Sequence, residues 1–171
     1  MVKIVIKRST GEEQAIYLDK KWTIENLEHF KPVVEGVSDE EGIEITLTCN
    51  LEAFQFIVKF LQETNYEKKC DITEEMNHEN VLNILVTAEF LKLDHVYEMA
   101  WEDYLEPNFV SVIDACKLDL SQMSSRVTHD IAQRIRLKDL LVLRERPDKL
   151  ISNVFRHRID ILLAKTTLWT C

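Results

Sequence analysis

The chain has 171 residues, of which 46% are hydrophobic and 30% are charged, and its formal net charge is −9. This length fits one domain, or one domain with a helical extension, and it permits a core that needs neither metals nor disulfides. The chain has only three glycines and three prolines, and this low number favours a helix-rich chain over a loop-rich sandwich. No apolar run approaches the roughly 20 residues that cross a bilayer, and the alternating, charged start does not resemble a signal peptide.

Charge is divided unevenly along the chain. Residues 1–119 carry 11 Lys and Arg against 25 Asp and Glu, a net charge of −14, whereas residues 120–171 carry 10 against 5, a net charge of +5. An acidic body disfavours nucleic acid as a partner. In the basic stretch, aromatic residues are sparse and five acids are interleaved, so an acidic partner is favoured over phosphates, and the chain's own acidic body is one such partner.

Two strands are predicted at the start of the chain. In VKIVIKR (2–8), Val2, Ile4 and Ile6 fall on one face, although Val5 interrupts the polar face. A turn at Gly11 leads into the second strand, QAIYLDK, so that the two strands form a hairpin. Because the first strand is short, apolar and terminal, we expect it to be an edge that a second chain can pair with.

A short helix, a third strand and a longer helix follow. Thr23 is the predicted cap of the short helix, which Pro32 should stop or kink. The third strand, IEITLTC, alternates cleanly. Asn50 is then the predicted cap of an amphipathic helix from about Leu51 to Glu63.

The stretch from Glu79 to Leu105 predicts two helices separated by a few residues. Asn77 is the predicted cap of the first helix, which is apolar on nearly every face and is therefore expected to be buried. Asp94 is the predicted cap of the second helix, and Pro107 is its predicted end. The remaining chain to residue 171 reads as several helices, so we expect an α+β fold in which a small three-stranded sheet packs on a helix cluster.

The run from IEITLTC through LEAFQFIVKFLQETN to ENVLNILVTAEFLKLDHVYEMAWEDYL resembles a BTB/POZ domain. The opening MVKIVIKRSTGEEQAIYLDKKW is similar to the hairpin that begins the elongin C branch of that family. EFLKLDHVYEMAWEDY and PDKLISNVFRHRIDILL resemble the BTB region of the SANT-and-BTB-domain regulator of class switch recombination. The resemblance implies a BTB core over residues 1–105 and a helical C-terminal extension, residues 106–171, that packs on it.

This resemblance implies a module without an active site that homodimerises and recruits regulatory partners such as transcriptional corepressors. The alternative is a ubiquitin-ligase adaptor that docks a cullin scaffold. No helix precedes the first strand, unlike the long-form BTB pattern, which leaves the dimer geometry open. The residues expected at the dimer interface are Val2, Ile4, Ile6, Trp22, Ile24, Leu27 and Phe30, and those expected to dock a partner are Val33, Glu35, Tyr66 and Trp101.

Val33 and Glu35 are docking candidates because of a family pattern, whereas Tyr66 and Trp101 are docking candidates because of their residue type. Cullin-binding BTB domains often carry a hydrophobic-x-Glu triplet before the third strand, and Val33-Val34-Glu35 stands at that place. The alternative is that these residues simply end the helix at Pro32. Tyr66 and Trp101 are aromatic residues near the ends of predicted elements, a type enriched at interfaces, although ordinary packing is the alternative for each.

Catalytic and metal-binding motifs do not stand out in the sequence. The four cysteines match no CxxC zinc pattern and read as reduced thiols of an intracellular protein, in the cytoplasm or the nucleus. No two of the five histidines lie four residues apart on one predicted helix, and no GxSxG, Walker A or GxGxxG motif is present. We therefore expect no enzyme activity, no cofactor and no membrane partner.

Overall fold

Three strands form a mixed sheet in the order β2-β1-β3. The strands are β1 (Val2–Lys7), β2 (Glu13–Leu18) and β3 (Ile43–Leu47). The computed structural model describes residues 1–7, 12–38, 42–64, 75–115, 124–136, 138–140 and 153–168. With its several helices, this small sheet gives the α+β architecture expected from the sequence.

The first strand lies in the centre of the sheet, so the prediction that it is an edge is wrong. β1 pairs antiparallel with β2 and parallel with β3, which leaves β2 and β3 as the two edges. Ile4 and Ile6 on the core face are fully enclosed, and Val5 on the outer face is 4% exposed because a strand lies on each side of it. Val5, the apolar residue between Lys3 and Lys7 on the otherwise polar face, was the sequence signal of a central strand.

Short helical turns follow the hairpin. They are α1 (Lys20–Asn26), a 3₁₀ turn (Glu28–Phe30) and α2 (Lys31–Val34). Asp19, and not Thr23, caps α1: its carboxylate accepts from the Trp22 amide at 2.9 Å. Thr23 is buried inside the helix and donates its hydroxyl hydrogen to the Asp19 carbonyl. Pro32 belongs to the first turn of α2, where its missing N–H is tolerated, so it starts this turn and does not stop a helix.

The buried centre of the molecule is α4 (Val81–Phe90), which α3 (Leu51–Thr64) packs against. Asn50 caps α3 as predicted, because its side chain accepts from the Ala53 amide. Asn80, and not Asn77, occupies the N-cap position of α4, and Asn77 accepts from the amides of Glu79 and Asn80 in the turn before it. The expected burial of this helix is confirmed, since six of its residues are buried: Val81, Leu82, Ile84, Leu85, Thr87 and Ala88.

The helical run that begins with the second helix of the hairpin extends to Ala115. It consists of α5 (Asp94–Met99), a π-helical segment (Ala100–Leu105) and α6 (Glu106–Ala115). Leu93, and not Asp94, occupies the N-cap position. Asn108, one residue after Pro107, has non-helical backbone angles, with φ −111° and ψ 15°. The helix therefore breaks where Pro107 predicts its end, and a second helical stretch continues beyond this kink to Ala115.

Two longer helices of the C-terminal part are described: α7 (Ser125–Arg134) and α8 (Asn153–Leu168). Ser124 caps α7 by accepting from the Val127 amide. One hydrophobic core contains side chains from both sides of residue 105, including Ile131 of α7 and Ile159 of α8. The division of the chain at residue 105 stays a prediction.

Candidate protein-interaction surfaces

Most of the residues predicted at the dimer interface are interior residues of a single chain. Val2, Ile4, Ile6 and Leu27 are 0% exposed and Phe30 is 2% exposed. They belong to the core that the sheet shares with the helices. Their apolar periodicity therefore has a sufficient explanation in the folding of one chain, and they offer little surface to a second copy.

Trp22 and Ile24, the other two predicted interface residues, are half-buried and pack against the same core. The most exposed apolar side chains near them in the chain belong to the next turns. Val33 is 55% exposed, and it follows His29 by four residues, or about one helical turn. The His29 ring lies against Phe90 of α4, with ring centroids 4.9 Å apart, and Phe90 is 41% exposed. We call His29, Val33 and Phe90 the apolar patch.

Glu35, the charged docking candidate, lies at the C-terminal end of α2. Its carboxylate is exposed and forms an ion pair with Lys31 at 3.7 Å. Val33 and Glu35 are thus both accessible, whereas Val34 between them is buried. The hydrophobic-x-Glu triplet presents its two defining side chains to solvent.

The two aromatic docking candidates differ from expectation in different ways. Tyr66 lies outside the described residues. Trp101 offers no docking surface, because its side chain is 0% exposed, and the alternative of ordinary packing holds for it. Trp101 lies in the π-helical segment, on the side that faces α7. It is therefore a core residue, although the sequence placed it near the end of a predicted element.

Trp101 belongs to a polar contact that the sequence analysis did not identify. Along α5 and the π-helical segment, two aromatic side chains and three carboxylates line the side that meets α7. We call these five residues the acidic–aromatic face: Asp94, Tyr97, Glu98, Trp101 and Glu102.

The opposing surface is a stripe on α7 formed by Arg126, Asp130 and Arg134. Arg126 lies over the Tyr97 ring at 4.1 Å and donates to Asp94 at 2.6 Å. Arg134 lies over the Trp101 ring at 4.6 Å. Since the three α7 residues are four apart, they project from one side of the helix.

Glu98 and Asp130 join the two helices at the middle of the contact. Arg134 donates to Glu98 at 2.8 Å, and Arg126 reaches the other Glu98 oxygen at 3.6 Å. Asp130 accepts from the Tyr97 hydroxyl at 2.8 Å. Among the described residues, the buried Nε1 of Trp101 has no hydrogen-bond partner. The contact is thus largely paired, with one orphan donor inside it.

Two groups in this contact have shifted pKa values. Burial raises the pKa of Tyr97 above its ordinary value near 10, and the hydrogen bond to Asp130 raises it further. The hydrogen bond to Asp94 raises the pKa of Arg126. Both shifts favour the protonated side chains that the contact requires.

A signal for this contact was present in the sequence. Tyr97 and Trp101 are four residues apart on a predicted helix, and Arg126 and Arg134 are eight apart on another. The charge distribution favoured an acidic partner over phosphates for the basic stretch, and the ion pairs of Arg126 and Arg134 show that the chain's own acidic body is such a partner. The particular pairing could not be predicted, because the helices are joined by a stretch whose path the sequence does not determine.

The outer face of the sheet carries cross-strand ion pairs. Lys3 of β1 binds Glu44 of β3 at 2.7 Å, and Lys7 of β1 binds Glu13 of β2 at 3.0 Å. The hydrogen bond to Glu44 raises the pKa of Lys3. Tyr17 of β2 is 61% exposed on this face. It provides an exposed aromatic residue on a different element from the apolar patch.

No group of three or more His, Cys, Asp and Glu side chains among the described residues has a metal-binding arrangement. No described helix is both long enough and apolar enough to cross a membrane. Cys49 is a free thiol whose pKa burial raises to about 11, so at neutral pH it remains the weakly nucleophilic thiol.

The fold is a small mixed sheet packed on a buried helical hairpin, and its surface carries apolar and charged helix faces. This arrangement defines an α+β protein-interaction module. The family model of the BTB domain of the SANT and BTB domain regulator of CSR matches residues 1–101. This match spans more than half of the chain, and the chain therefore belongs to that BTB-domain family. Members of the family act by protein–protein interaction, which is the function that this fold supports.

Proposed function

We propose that this BTB module homodimerises through the α1–α2 region and the apolar patch, and that the dimer recruits regulatory partners. The observation that carries the proposal is the exposure of Val33 and Phe90, together with the contact of the Phe90 and His29 rings. Half-buried Trp22 and Ile24 of α1 are the neighbouring members of the predicted interface. Apolar side chains at these positions lose water contact when a second copy covers them, which favours association.

Light scattering at micromolar concentration tests the homodimer. The chain mass is 20.1 kDa, and the expected species has twice that mass. Val33→Glu and Phe90→Glu each place a charge in the proposed interface, so both should shift the equilibrium towards monomer by at least tenfold in Kd, or about 1.4 kcal/mol. Tyr17→Glu is the matched control, since Tyr17 is at least as exposed but lies on β2.

The dimer claim fails if the unsubstituted chain scatters as a 20.1 kDa monomer at these concentrations. It also fails at this site if Tyr17→Glu weakens the dimer as much as Val33→Glu does. A standard interface buries about 800 Å² per partner, so a stable dimer needs more contacts than the apolar patch alone, and α1 is the adjacent element that supplies them.

Recruitment of regulatory partners such as transcriptional corepressors is the second half of the proposal. It is supported by the family's interaction function and by the charged helix faces of this chain. Affinity purification of the tagged chain from cells, followed by mass spectrometry, tests it. We expect corepressor components to co-purify with the dimeric chain and to be lost with Val33→Glu. Recovery of equal amounts of these components with both chains would show that recruitment does not depend on dimerisation.

A second candidate function is a ubiquitin-ligase adaptor that docks a cullin scaffold. The exposed pair Val33 and Glu35 favours it, because both defining side chains of the hydrophobic-x-Glu triplet are accessible. Glu35→Lys should abolish co-purification with cullins while leaving the light-scattering mass unchanged. Absence of any cullin from the purified chain would exclude this function.

The proposed activity is binding, without catalysis, inside the cell. Support comes from the family and from carboxylates that are engaged with arginines in ion pairs rather than placed for acid–base work. Microscopy of a fluorescent fusion distinguishes cytoplasm from nucleus. A secreted fusion would contradict the proposal, and so would turnover of a substrate that Glu98→Gln abolishes.

A further inference from the structure

The more accessible of the two sheet edges is β2. Among the described residues, β1 is the only strand that pairs with it, so alternate residues of β2 direct their peptide N–H and C=O groups away from the sheet. Four of its six side chains are exposed: Glu13, Gln14, Ala15 and Tyr17. In β3, the other edge, Ile43 and Leu47 at the two ends are buried.

β2 lacks the features that usually keep an exposed edge from pairing with another chain. Natural edge strands are protected by lysine, by proline, by a bulge or by being very short. The sequence EQAIYL contains neither lysine nor proline. Its six residues pair with β1 in an uninterrupted register, from Leu18 opposite Val2 to Glu13 opposite Lys7. The strand is therefore regular and long enough for another strand to bond along it.

Both faces of the sheet offer apolar contact beside this edge. On the outer face, the Tyr17 side chain is 61% exposed. On the core face, Ile16 packs against the core but is only half-buried. Because the side chains of a strand point alternately to the two faces, successive apolar residues of an added strand would cover the Tyr17 ring and the open side of Ile16.

The charge of the edge indicates which kind of segment it accepts. Residues 12–19, EEQAIYLD, contain three carboxylates and neither Lys nor Arg. Glu12 and Glu13 precede the apolar residues, and Asp19 follows them. If the β2 strands of two copies paired antiparallel, the acidic start of one would lie beside the acidic end of the other, which is unfavourable. A segment with a cation at each end has the complementary charge.

We propose that the free edge of β2 binds an extended segment of a partner protein, which adds a further strand to the sheet. The segment is apolar or β-branched in its middle and carries Lys or Arg at its ends. Main-chain hydrogen bonds provide the affinity, and Tyr17 and Ile16 receive alternate side chains. The site is independent of the proposed homodimer, because it lies on a different element from the apolar patch.

Fluorescence anisotropy of labelled synthetic peptides tests the site on the whole chain. The probe alternates valine and threonine over the six-residue length of β2 and has a lysine at each end. A second peptide is N-methylated at every central amide, and a third has glutamate in place of the two lysines. Both should bind at least tenfold more weakly than the probe, because one lacks hydrogen-bond donors and the other has the wrong charge.

Gln14 provides a matched pair of variants, since it is an exposed residue at the acidic start of β2. Gln14→Lys and Gln14→Glu give side chains of similar length and opposite charge. At low ionic strength the lysine-ended probe should bind Gln14→Lys about tenfold more weakly than Gln14→Glu, and the glutamate-ended peptide should show the reverse order. Equal affinities of the two variants would refute the charge selection.

The proposal is overturned if the probe does not bind, or if the N-methylated peptide binds as tightly as the probe. Val33→Glu leaves β2 unchanged and should bind the probe with the original affinity, whereas loss of the probe would place it on the apolar patch. Light scattering reports the homodimer separately, so the two proposals fail by different measurements.

Discussion

At the scale of single residues, Lys92 is the only described residue other than glycine with positive φ, at 58°. It ends α4 in a Schellman motif: the Leu93 amide donates to Ala88, and the Lys92 amide donates to Glu89. Glycine takes this conformation without a Cβ clash. Lys92→Gly should therefore raise the free energy of unfolding by about 0.5–1 kcal/mol, measured by urea titration.

Lys92→Ala is the matched control, since it removes the same exposed side chain but keeps Cβ. Its free energy of unfolding should stay within about 0.5 kcal/mol of the original. Equal effects of Gly and Ala would show that the positive φ carries no strain.

Tyr97 provides the second test at this scale. Tyr97→Phe removes the hydroxyl that donates to Asp130 at 2.8 Å inside the contact, which should cost about 1–3 kcal/mol in urea unfolding. Burial raises the pKa of Tyr97 in the folded chain above its ordinary value near 10, so above pH 10 the unfolded chain loses the phenol proton while the folded chain keeps it. The stability that the Tyr97 hydroxyl contributes is therefore complete below pH 10 and is lost as the pH rises beyond it.

The difference in stability between the original chain and Tyr97→Phe should accordingly be constant from pH 7 to 9 and shrink above pH 10. Tyr17→Phe is the control, because Tyr17 is 61% exposed on β2. A difference for Tyr97→Phe that grows with rising pH would contradict the assigned direction of the shift.

At the scale of elements, α7 contributes to the same core as the BTB hairpin. Ile131 is 1% exposed on the inner side of α7, whereas Ile161 of α8 is 38% exposed. Ile131→Ala should lower the free energy of unfolding by about 2–5 kcal/mol because it leaves a cavity under the helix. Ile161→Ala, the same substitution on a more open surface, should cost clearly less. Comparable losses at both positions would refute the picture of α7 as a core element.

At the scale of the whole molecule, the folded unit extends beyond the residues that the family model matches. That match ends at residue 101, yet Trp101 is fully enclosed and Arg134 of α7 lies over its ring. A chain cut after residue 115 loses this cover, along with three buried side chains of α7. Each buried Val or Ile contributes about 1.5–3 kcal/mol, so the cut should lower the thermal midpoint markedly.

A chain cut after residue 140 is the control, since it retains α7 and the buried Leu140. Near-ultraviolet circular dichroism should report the fixed Trp101 ring in the longer chain and a weaker signal in the shorter one. Identical signals and midpoints for the two chains would place the boundary of the unit before α7.

Sequence patterns predicted those elements whose signals are local. The alternation in Val2–Lys7, the cap at Asn50 and the all-round apolar helix Val81–Phe90 each follow from neighbours within a few residues, and each was confirmed. Caps were missed where two polar side chains competed, as at Asp19 and Thr23, because only the entry path of the chain decides which one precedes the first turn.

The sequence by itself determined the composition of the core, the order of the strands and helices along the chain, and the family pattern. Only the tertiary structure decided that β1 is central, that Trp101 is buried, and that Arg126 and Arg134 meet the acidic–aromatic face. The physical reason is the separation along the sequence between the residues that interact. Periodicity and capping act over a few residues, whereas strand order and helix pairing depend on contacts between residues more than 30 positions apart.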